Sequence, residues 1–238
     1  MSALRPRDCP VFIPVRDRLE TLEQLVVWLE RAGHEQIWLI DNASSYPPLV
    51  EYLARSPHHV VHLGRNLGHR SPWLSGLVQR HAHGVPFVVS DPDVVPVEEC
   101  PLDAVVHFGE ILERHRELHK VGFGLKIDDL PEHYPLSDEV RRWEAQFWTE
   151  EIEPGVYRAD IDTTFALHRA MPPPHENYLA ARTGPPYTAR HLAWYVDATQ
   201  LSDDERYYRE HADPLVSNWN RDRLARWKSL HRQQRADS

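Results

Sequence analysis

Residues 9–42 read CPVFIPVRDRLETLEQLVVWLERAGHEQIWLIDN. Cys9 to Val15 is a short apolar run that ends around Pro14, and the polar triplet Arg16-Asp17-Arg18 breaks it. Leu19, Leu22, Leu25, Val26 and Leu29 then recur at helical spacing, giving one apolar helix face. Gly33 closes that helix, since a residue without Cβ suits the left-handed conformation at a helix end. Gln36-Ile37-Trp38-Leu39-Ile40 is a second apolar strand, stopped abruptly by Asp41-Asn42-Ala43-Ser44-Ser45. Strand, helix and strand in this length predict a βαβ crossover in a parallel sheet, with Asp41 at a carboxyl end.

The alternation continues outward. Leu49 to Ala54 reads as a short helix, Val60-Val61-His62-Leu63 as a short strand, Asn66-Leu67-Gly68 as a turn, and Pro72 to His81 as a helix. Pro86-Phe87-Val88-Val89-Ser90 is the most strongly β-like run in the chain, and it delivers Asp91 and Asp93 at its carboxyl end. The fold class predicted is α/β, a Rossmann-like, mostly parallel sheet flanked by helices. Ligands of such sheets bind outside the carboxyl ends of the strands, so Asp17, Asp41 and Asp91 are expected on one rim. After Pro101 the pattern weakens. Leu102 to Leu118 looks helical, Val121 to Ile127 is a glycine-containing strand, Trp143, Phe147 and Trp148 fall on a helix, and Tyr157 to Leu167 reads as a final strand. From Met171 the chain is rich in Pro, Tyr and His, with few elements before a helical tail. Residues 1–100 are expected to form a ligand-binding half and 101–238 a divergent half of the same single domain.

Composition narrows the classes. Lys plus Arg number 27 against 36 Asp plus Glu, a net charge of -9 that opposes long-range attraction to nucleic acid or anionic lipid. The tail from Arg221 to Arg235 is the one basic stretch, and a solvated helix accounts for it. No run approaches the roughly 20 apolar residues of a membrane span, and the first residues lack a signal peptide's apolar stretch. Only Cys9 and Cys100 are present, without a metal knuckle or a disulfide framework. A cytoplasmic setting is the simplest expectation.

Asp91 and Asp93 are the sharpest chemical signal. Two carboxylates one residue apart at the end of a buried strand fit a Mn²⁺ or Mg²⁺ ion, which takes one or two carboxylates and fills its remaining positions with water and substrate phosphate. Such an ion neutralises charge building on a diphosphate leaving group. The structural alternative is an Asp-Pro-Asp turn capping a strand.

The motif has company. Phe12-Ile13-Pro14-Val15-Arg16-Asp17, Trp38-Leu39-Ile40-Asp41-Asn42-Ala43-Ser44, Arg65-Asn66-Leu67-Gly68 and Val88-Val89-Ser90-Asp91-Pro92-Asp93 together resemble the nucleotide-binding half of family 2 glycosyltransferases, enzymes of the GT-A fold. The resemblance implies that Pro14, Arg16 and Asp17 lie near the base, Asp41 and Asn42 near base or ribose, and Asn66 beside them. It places Asp91 and Asp93 at the metal, with His191 as an additional metal ligand. A loop arginine, Arg65 or Arg70, suits phosphate oxygens. The implied partners are a nucleotide-diphosphate sugar, with a UDP-sugar first among donors, and a hydroxyl acceptor in a glycan or small molecule.

An inverting transfer needs a carboxylate to take the acceptor's proton. The Glu-Asp pair that many relatives carry after the glycine-containing strand is not found at the expected place. Asp162 ranks first as the base, because a carboxylate within a strand beside Thr163, Thr164 and Phe165 is unexpected without a partner or a function. Asp128 ranks second, with Asp129 and Asp160 as further choices. Two rival functions remain. Val89-Ser90-Asp91-Pro92-Asp93-Val94-Val95 matches the first motif of haloacid-dehalogenase-type phosphohydrolases, although that motif opens its domain and this one does not. A degenerate nucleotide-sugar-binding domain without a base is the other.

Overall fold

In the computed structural model, which describes residues 4–170, 179–197 and 199–211, the βαβ unit forms as the pattern requires: β1 (Val11–Val15), α1 (Glu20–Arg31) and β2 (Ile37–Asp41). Then follow α2 (Pro47–Arg55), β3 (His59–His62), α3 (Ser71–Leu74), α4 (Leu77–His81), β4 (Phe87–Val89) and β5 (Val94–Pro96). The second half supplies α5 (Ala104–Arg114), β6 (Lys120–Leu125), α6 (Ser137–Glu144), β7 (Glu151–Glu153), β8 (Val156–Arg158), β9 (Ala166–His168), β10 (Ala180–His191) and α7 (Asp203–His211). The chain divides into the compact units Met1–Tyr208 and Arg209–Ser238. Of the second unit only residues 209–211 are described, so the basic tail falls outside the described residues, as does the stretch 171–178.

One sheet runs in the order β3-β2-β1-β4-β9-β6-β10-β8-β7, with β5 paired to β10. β3, β2, β1 and β4 are parallel, β9 is antiparallel to both its neighbours, and β6 and β10 are parallel. The predicted α/β architecture is what forms. The chain steps from β1 outward through β2 to β3, then returns to place β4 on the other side of β1, so the strand order switches between β1 and β4. In open α/β sheets that is where a crevice forms beyond the carboxyl ends.

Pro14 helps to open it. Val88 and Ser90 N–H donate to Pro10 O and Phe12 O, so the even-numbered residues of β1 face β4. The β1–β4 register ends at Phe12↔Val89, whereas β1–β2 runs on to Val15↔Asp41. Pro14 has no N–H to continue the ladder, and the two strands part there.

The core packs on both faces. Phe12, Ile40, Leu77, Val78, Phe87 and Val89 form one cluster, backed by Trp38 and Trp73. Trp28, Phe108, Phe123 and Phe165 interlock edge to face on the other. At Gly122 a Cβ would stand 2.2 Å from Phe165 O, so only glycine lets β6 lie this close to the segment entering β9.

Three expectations are corrected. The helix expected from Pro72 to His81 is two short helices, because Gly76 takes φ 74 between them. Tyr157 to Leu167 is not one strand: β8 and β9 are separate, with residues 159–165 irregular between them. The stretch thought poor in elements holds β10, a strand of 12 residues.

His168, at the end of β9, stacks flat on Phe87 with ring centroids 5.0 Å apart. Burial, reinforced by the charge of Lys120, pulls its pKa down to about 3. An unfolded imidazole titrates near about 6.5, so as pH falls through the window from about 6.5 to 3 the unfolded chain binds a proton that the native chain does not. Stability is therefore lost on acidification. His168→Phe is expected to flatten this acid limb by up to about 1.4 kcal/mol per pH unit. Buried His34, lowered to about 4 by the same cause, leaves a residual slope. Urea midpoints at pH 7 and pH 5 check this, and parallel pH profiles for the two proteins would refute it.

Candidate active site

The rim of the crevice is built from the loops that follow the parallel strands. Asp17 comes after β1, Asp41 ends β2, and Asp91 and Asp93 come after β4. The loops after β1 and β2 each carry a non-glycine residue at positive φ, Asp17 at 53° and Ala43 at 60°. Such backbone needs surrounding bonds to hold it. Asp17 supplies them: its buried Oδ1 accepts the N–H groups of Ser45 at 2.6 Å and Tyr46 at 2.8 Å, just before α2. Asp41 accepts Ser44 N–H at 2.8 Å on Oδ1, and its Oδ2 meets His62 Nδ1 at 2.8 Å. Asn42 accepts Leu67 N–H and donates to Ser71 Oγ, tying the β2 loop to the loop after β3. Arg16 NH1 donates to Asn42 O. Most of these polar side chains organise the rim's own backbone, which is more than their expected role at a base.

Some buried polar atoms on the rim have no hydrogen-bond partner among the described residues: Asn66 Nδ2, His191 Nδ1, and Arg16 Nε and Asp17 Oδ2, which face each other as an ion pair at 3.9 Å. Buried polar groups are rarely left so, and each calls for an explanation. Pro14 lies buried within β1, and Arg65 and Arg70 are exposed.

Asp93 lies at the centre of the site. It is 5% exposed, with Oδ2 3.0 Å from Arg18 NH1 and Oδ1 3.4 Å from His191 Nε2. The distant His191 arrives because β10 runs antiparallel to β5 and sets it opposite Val94. Leu192 N–H then donates to Asp93 O at 2.7 Å. Trp194 packs edge-on against the His191 ring, 4.7 Å between centroids, and fixes its orientation. Asp91 is gripped from β9's approach: Thr163 Oγ1 donates to Asp91 Oδ2 at 2.7 Å, and Asp91 N–H donates to Thr163 O at 3.1 Å.

The electrostatics separate the two carboxylates. Burial and the neighbouring Asp93 charge push Asp91 up to about 7, against the Thr163 hydroxyl and His191. For Asp93 burial acts in the same direction, but His191 and Arg18 outweigh it and hold the group well below the usual carboxylate range. Burial opposes charge on His191, and Asp93 outweighs that too, so its pKa is raised. Neighbouring carboxylates driven apart in this way are frequent at functional sites, and structural ion-pair networks produce them as well.

The two base candidates separate. Asp162 is not within a strand but in the irregular turn before β9, where its side chain is exposed and its charge reaches Asp91. Lys120 pins this turn, donating to Ile161 O at 2.5 Å and to Asp162 O at 3.2 Å. Asp128 is 76% exposed and neutralised by Lys126 at 2.8 Å. Asp129 is taken by Arg190 and Tyr195, and Asp160 is exposed.

Sequence reasoning missed Arg18, Thr163 and Glu205. Arg18 lies between Asp93 and Glu205, with Nε 2.9 Å from Glu205 Oε2 and its guanidinium 4.0 Å over the Tyr208 ring. Leu19, the N-cap of α1, offers no capping side chain. Asp204 of α7 takes over, its Oδ2 accepting Leu19 and Glu20 N–H at 2.9 Å. These partners are far apart in sequence and leave no local pattern.

Among the described residues no three His, Cys, Asp or Glu side chains gather as a metal cage, and no helix is long and apolar enough to cross a membrane. No family model matches the chain, and no curated protein matches it. Among solved structures, glucosyl-3-phosphoglycerate synthase from Mycobacterium tuberculosis in complex with phosphoglyceric acid is similar at TM-score 0.43 and 12% identity, covering 69% of this chain and 57% of its own. A mycobacterial protein is similar at TM-score 0.41 and 16% identity, covering 68% of this chain and 54% of its own. The chain thus spans little more than half the length of these structures.

Proposed function

We propose that this chain is a GT-A-type glycosyltransferase that moves a sugar from a nucleoside-diphosphate donor to a hydroxyl acceptor with inversion. The observation that carries the reading is the convergence of Asp93, Arg18 and His191 at the carboxyl end of β4, beside the β1–β4 switch point. Asn66 Nδ2 on the same rim, buried without a hydrogen-bond partner among the described residues, is a donor that suits the oxygens of a nucleotide.

The residues present fit a divalent ion. Two cis ligands of an octahedral ion at about 2.1 Å stand about 3 Å apart, close to the 3.4 Å between Asp93 Oδ1 and His191 Nε2. Mn²⁺ or Mg²⁺ held there by Asp93 and His191, with Asp91 beside them, would neutralise charge on the departing diphosphate. Arg18 keeps Asp93 ionised and aligned, and Thr163 keeps Asp91 turned toward the same edge. Asp162, exposed and near Asp91, takes the proton from the acceptor hydroxyl as its oxygen attacks the anomeric carbon and the nucleoside diphosphate leaves.

A thermal-shift screen of UDP-, GDP-, dTDP- and CDP-sugars with and without Mn²⁺ tests the donor side. Stabilisation of about 2.7 kcal/mol is expected when the correct donor stands at about 100 times its Kd, and only with the metal. No shift with any donor sinks the reading, and hydrolysis of a simple aryl phosphate would put a phosphohydrolase in its place. Asp162→Asn is expected to leave that shift intact while lowering turnover about 10²-fold. Unchanged turnover would move the base elsewhere, and metal-dependent donor binding by a wild-type chain that forms no glycosidic product would mark a binding domain.

A further inference from the structure

His62 stands at the carboxyl end of β3, opposite Asp41 in the β2–β3 register. Its side chain is 61% exposed, while that of Asp41 is 9% exposed. Both carboxylate oxygens of Asp41 are engaged, Oδ1 by Ser44 N–H at 2.8 Å and Oδ2 by His62 Nδ1 at 2.8 Å. Asn42 beside it is likewise committed, its Oδ1 to Leu67 N–H and its Nδ2 to Ser71 Oγ. With its side chain 9% exposed and a bond already on each oxygen, Asp41 meets a ligand chiefly through what it holds. What Asp41 holds is an imidazole facing out of the rim.

A carboxylate only accepts hydrogen bonds, so His62 Nδ1 carries the proton. In the neutral ring that leaves a lone pair on Nε2, which makes the exposed edge of His62 an acceptor. β3 lies three strands, about 14 Å, from β4, at whose carboxyl end Asp93 sits, a separation that an extended nucleoside diphosphate and the side chains holding its two ends bridge.

We propose that His62, oriented by Asp41, reads the nucleobase of the donor, and that its Nε2 acceptor selects bases with a ring imino N–H (uracil, thymine, guanine) over cytosine and adenine. The latter present a lone pair at the corresponding ring nitrogen, which would face the Nε2 lone pair. The inference rests on the nucleotide-sugar reading and adds to it the class of base.

The test is calorimetric binding of UDP, CDP, GDP, ADP and inorganic pyrophosphate to the full chain at pH 8 with Mn²⁺. The wild-type chain is expected to favour UDP over CDP, or GDP over ADP, by about tenfold, the worth of one well-placed hydrogen bond. His62→Ala removes that discrimination and leaves pyrophosphate affinity unchanged. Asp41→Asn is the sharper variant. Its amide oxygen still accepts Ser44 N–H, so its NH₂ donates to His62 Nδ1 and the ring proton moves to Nε2, inverting the preference toward CDP or ADP. A merely structural pair would not invert anything. Discrimination that survives His62→Ala, or a wild-type preference for CDP or ADP, overturns the proposal alone. Failure of pyrophosphate and every nucleotide to bind overturns the donor reading, and this proposal with it.

Discussion

Asp93→Ala is expected to lower glycosyl transfer by about 10³-fold, the scale of removing a principal electrostatic contact to the transition state, and to abolish Mn²⁺-dependent stabilisation by the donor. The fold should survive. Arg18 loses one anionic partner but keeps Glu205 at 2.9 Å and the face of Tyr208, and His191, whose charge Asp93 favours against burial, sheds its proton once that carboxylate is gone rather than staying buried as a cation. The backbone bond from Leu192 N–H to Asp93 O does not involve the side chain and keeps the end of β10 in place. The stability cost is then that of one charge-assisted hydrogen bond, about 1.5–3 kcal/mol. Turnover, Mn²⁺-dependent thermal shift and circular dichroism on one preparation separate the effects. Full turnover in the variant would remove the central claim. Unfolding would mean that Arg18 depends on Asp93 more than its contacts suggest, and Asp93→Asn, which keeps the shape and one acceptor, would then carry the test.

The parts legible in the sequence are those whose signals are local. α1 announces itself through Leu22, Leu25, Val26 and Leu29, all buried, and ends at Gly33 with φ 81. Asp91 and Asp93 were visible because carboxylates directly after the apolar run 87–89 have no place in a core. β10 was hidden by Gly184-Pro185-Pro186, which reads as a turn. The strand in fact carries those residues as an irregularity, its register with β6 shifting between Thr183 and Thr188. Asp162 was misplaced because Tyr157 to Leu167 has strand-like composition on both sides of the turn that holds Thr163 against Asp91. Arg18 lies 75 residues from Asp93 and 187 from Glu205, and no periodicity encodes such pairings. The same holds for the roles of Asp17 and Asp41: the sequence placed them on the rim, but only the folded loops give their carboxylates to backbone N–H groups and to His62.

Glu144→Ala is expected to produce the largest loss of stability, about 3–5 kcal/mol. Glu144 is the last residue of α6, and its Oε2 lies 2.6 Å from NH1 of Arg182, the third residue of β10, with the two side chains 4% and 5% exposed. Burial pushes the Glu144 pKa up and Arg182 pulls against it. Removing the carboxylate leaves a buried guanidinium with the Asp160 carbonyl at 2.8 Å and the Phe147 ring at 4.0 Å, neither of which neutralises a full charge. Against a total stability of about 5–15 kcal/mol that loss is a large fraction, and it should lower the melting temperature by roughly 10 °C. The pair itself need not stabilise, since desolvating both ions offsets their attraction. The double variant Glu144→Leu with Arg182→Met is accordingly expected within about 2 kcal/mol of wild type, or above it. Urea denaturation of Glu144→Leu, Arg182→Met and their double completes the cycle, and a Glu144→Ala loss below about 1 kcal/mol would show that water reaches Arg182. The consequence extends to the site, because the strand anchored at Arg182 is the one that ends at His191 beside Asp93. A loosened α6–β10 contact should weaken donor binding in the Glu144→Ala chain while the double variant, with β10 packed again, recovers it.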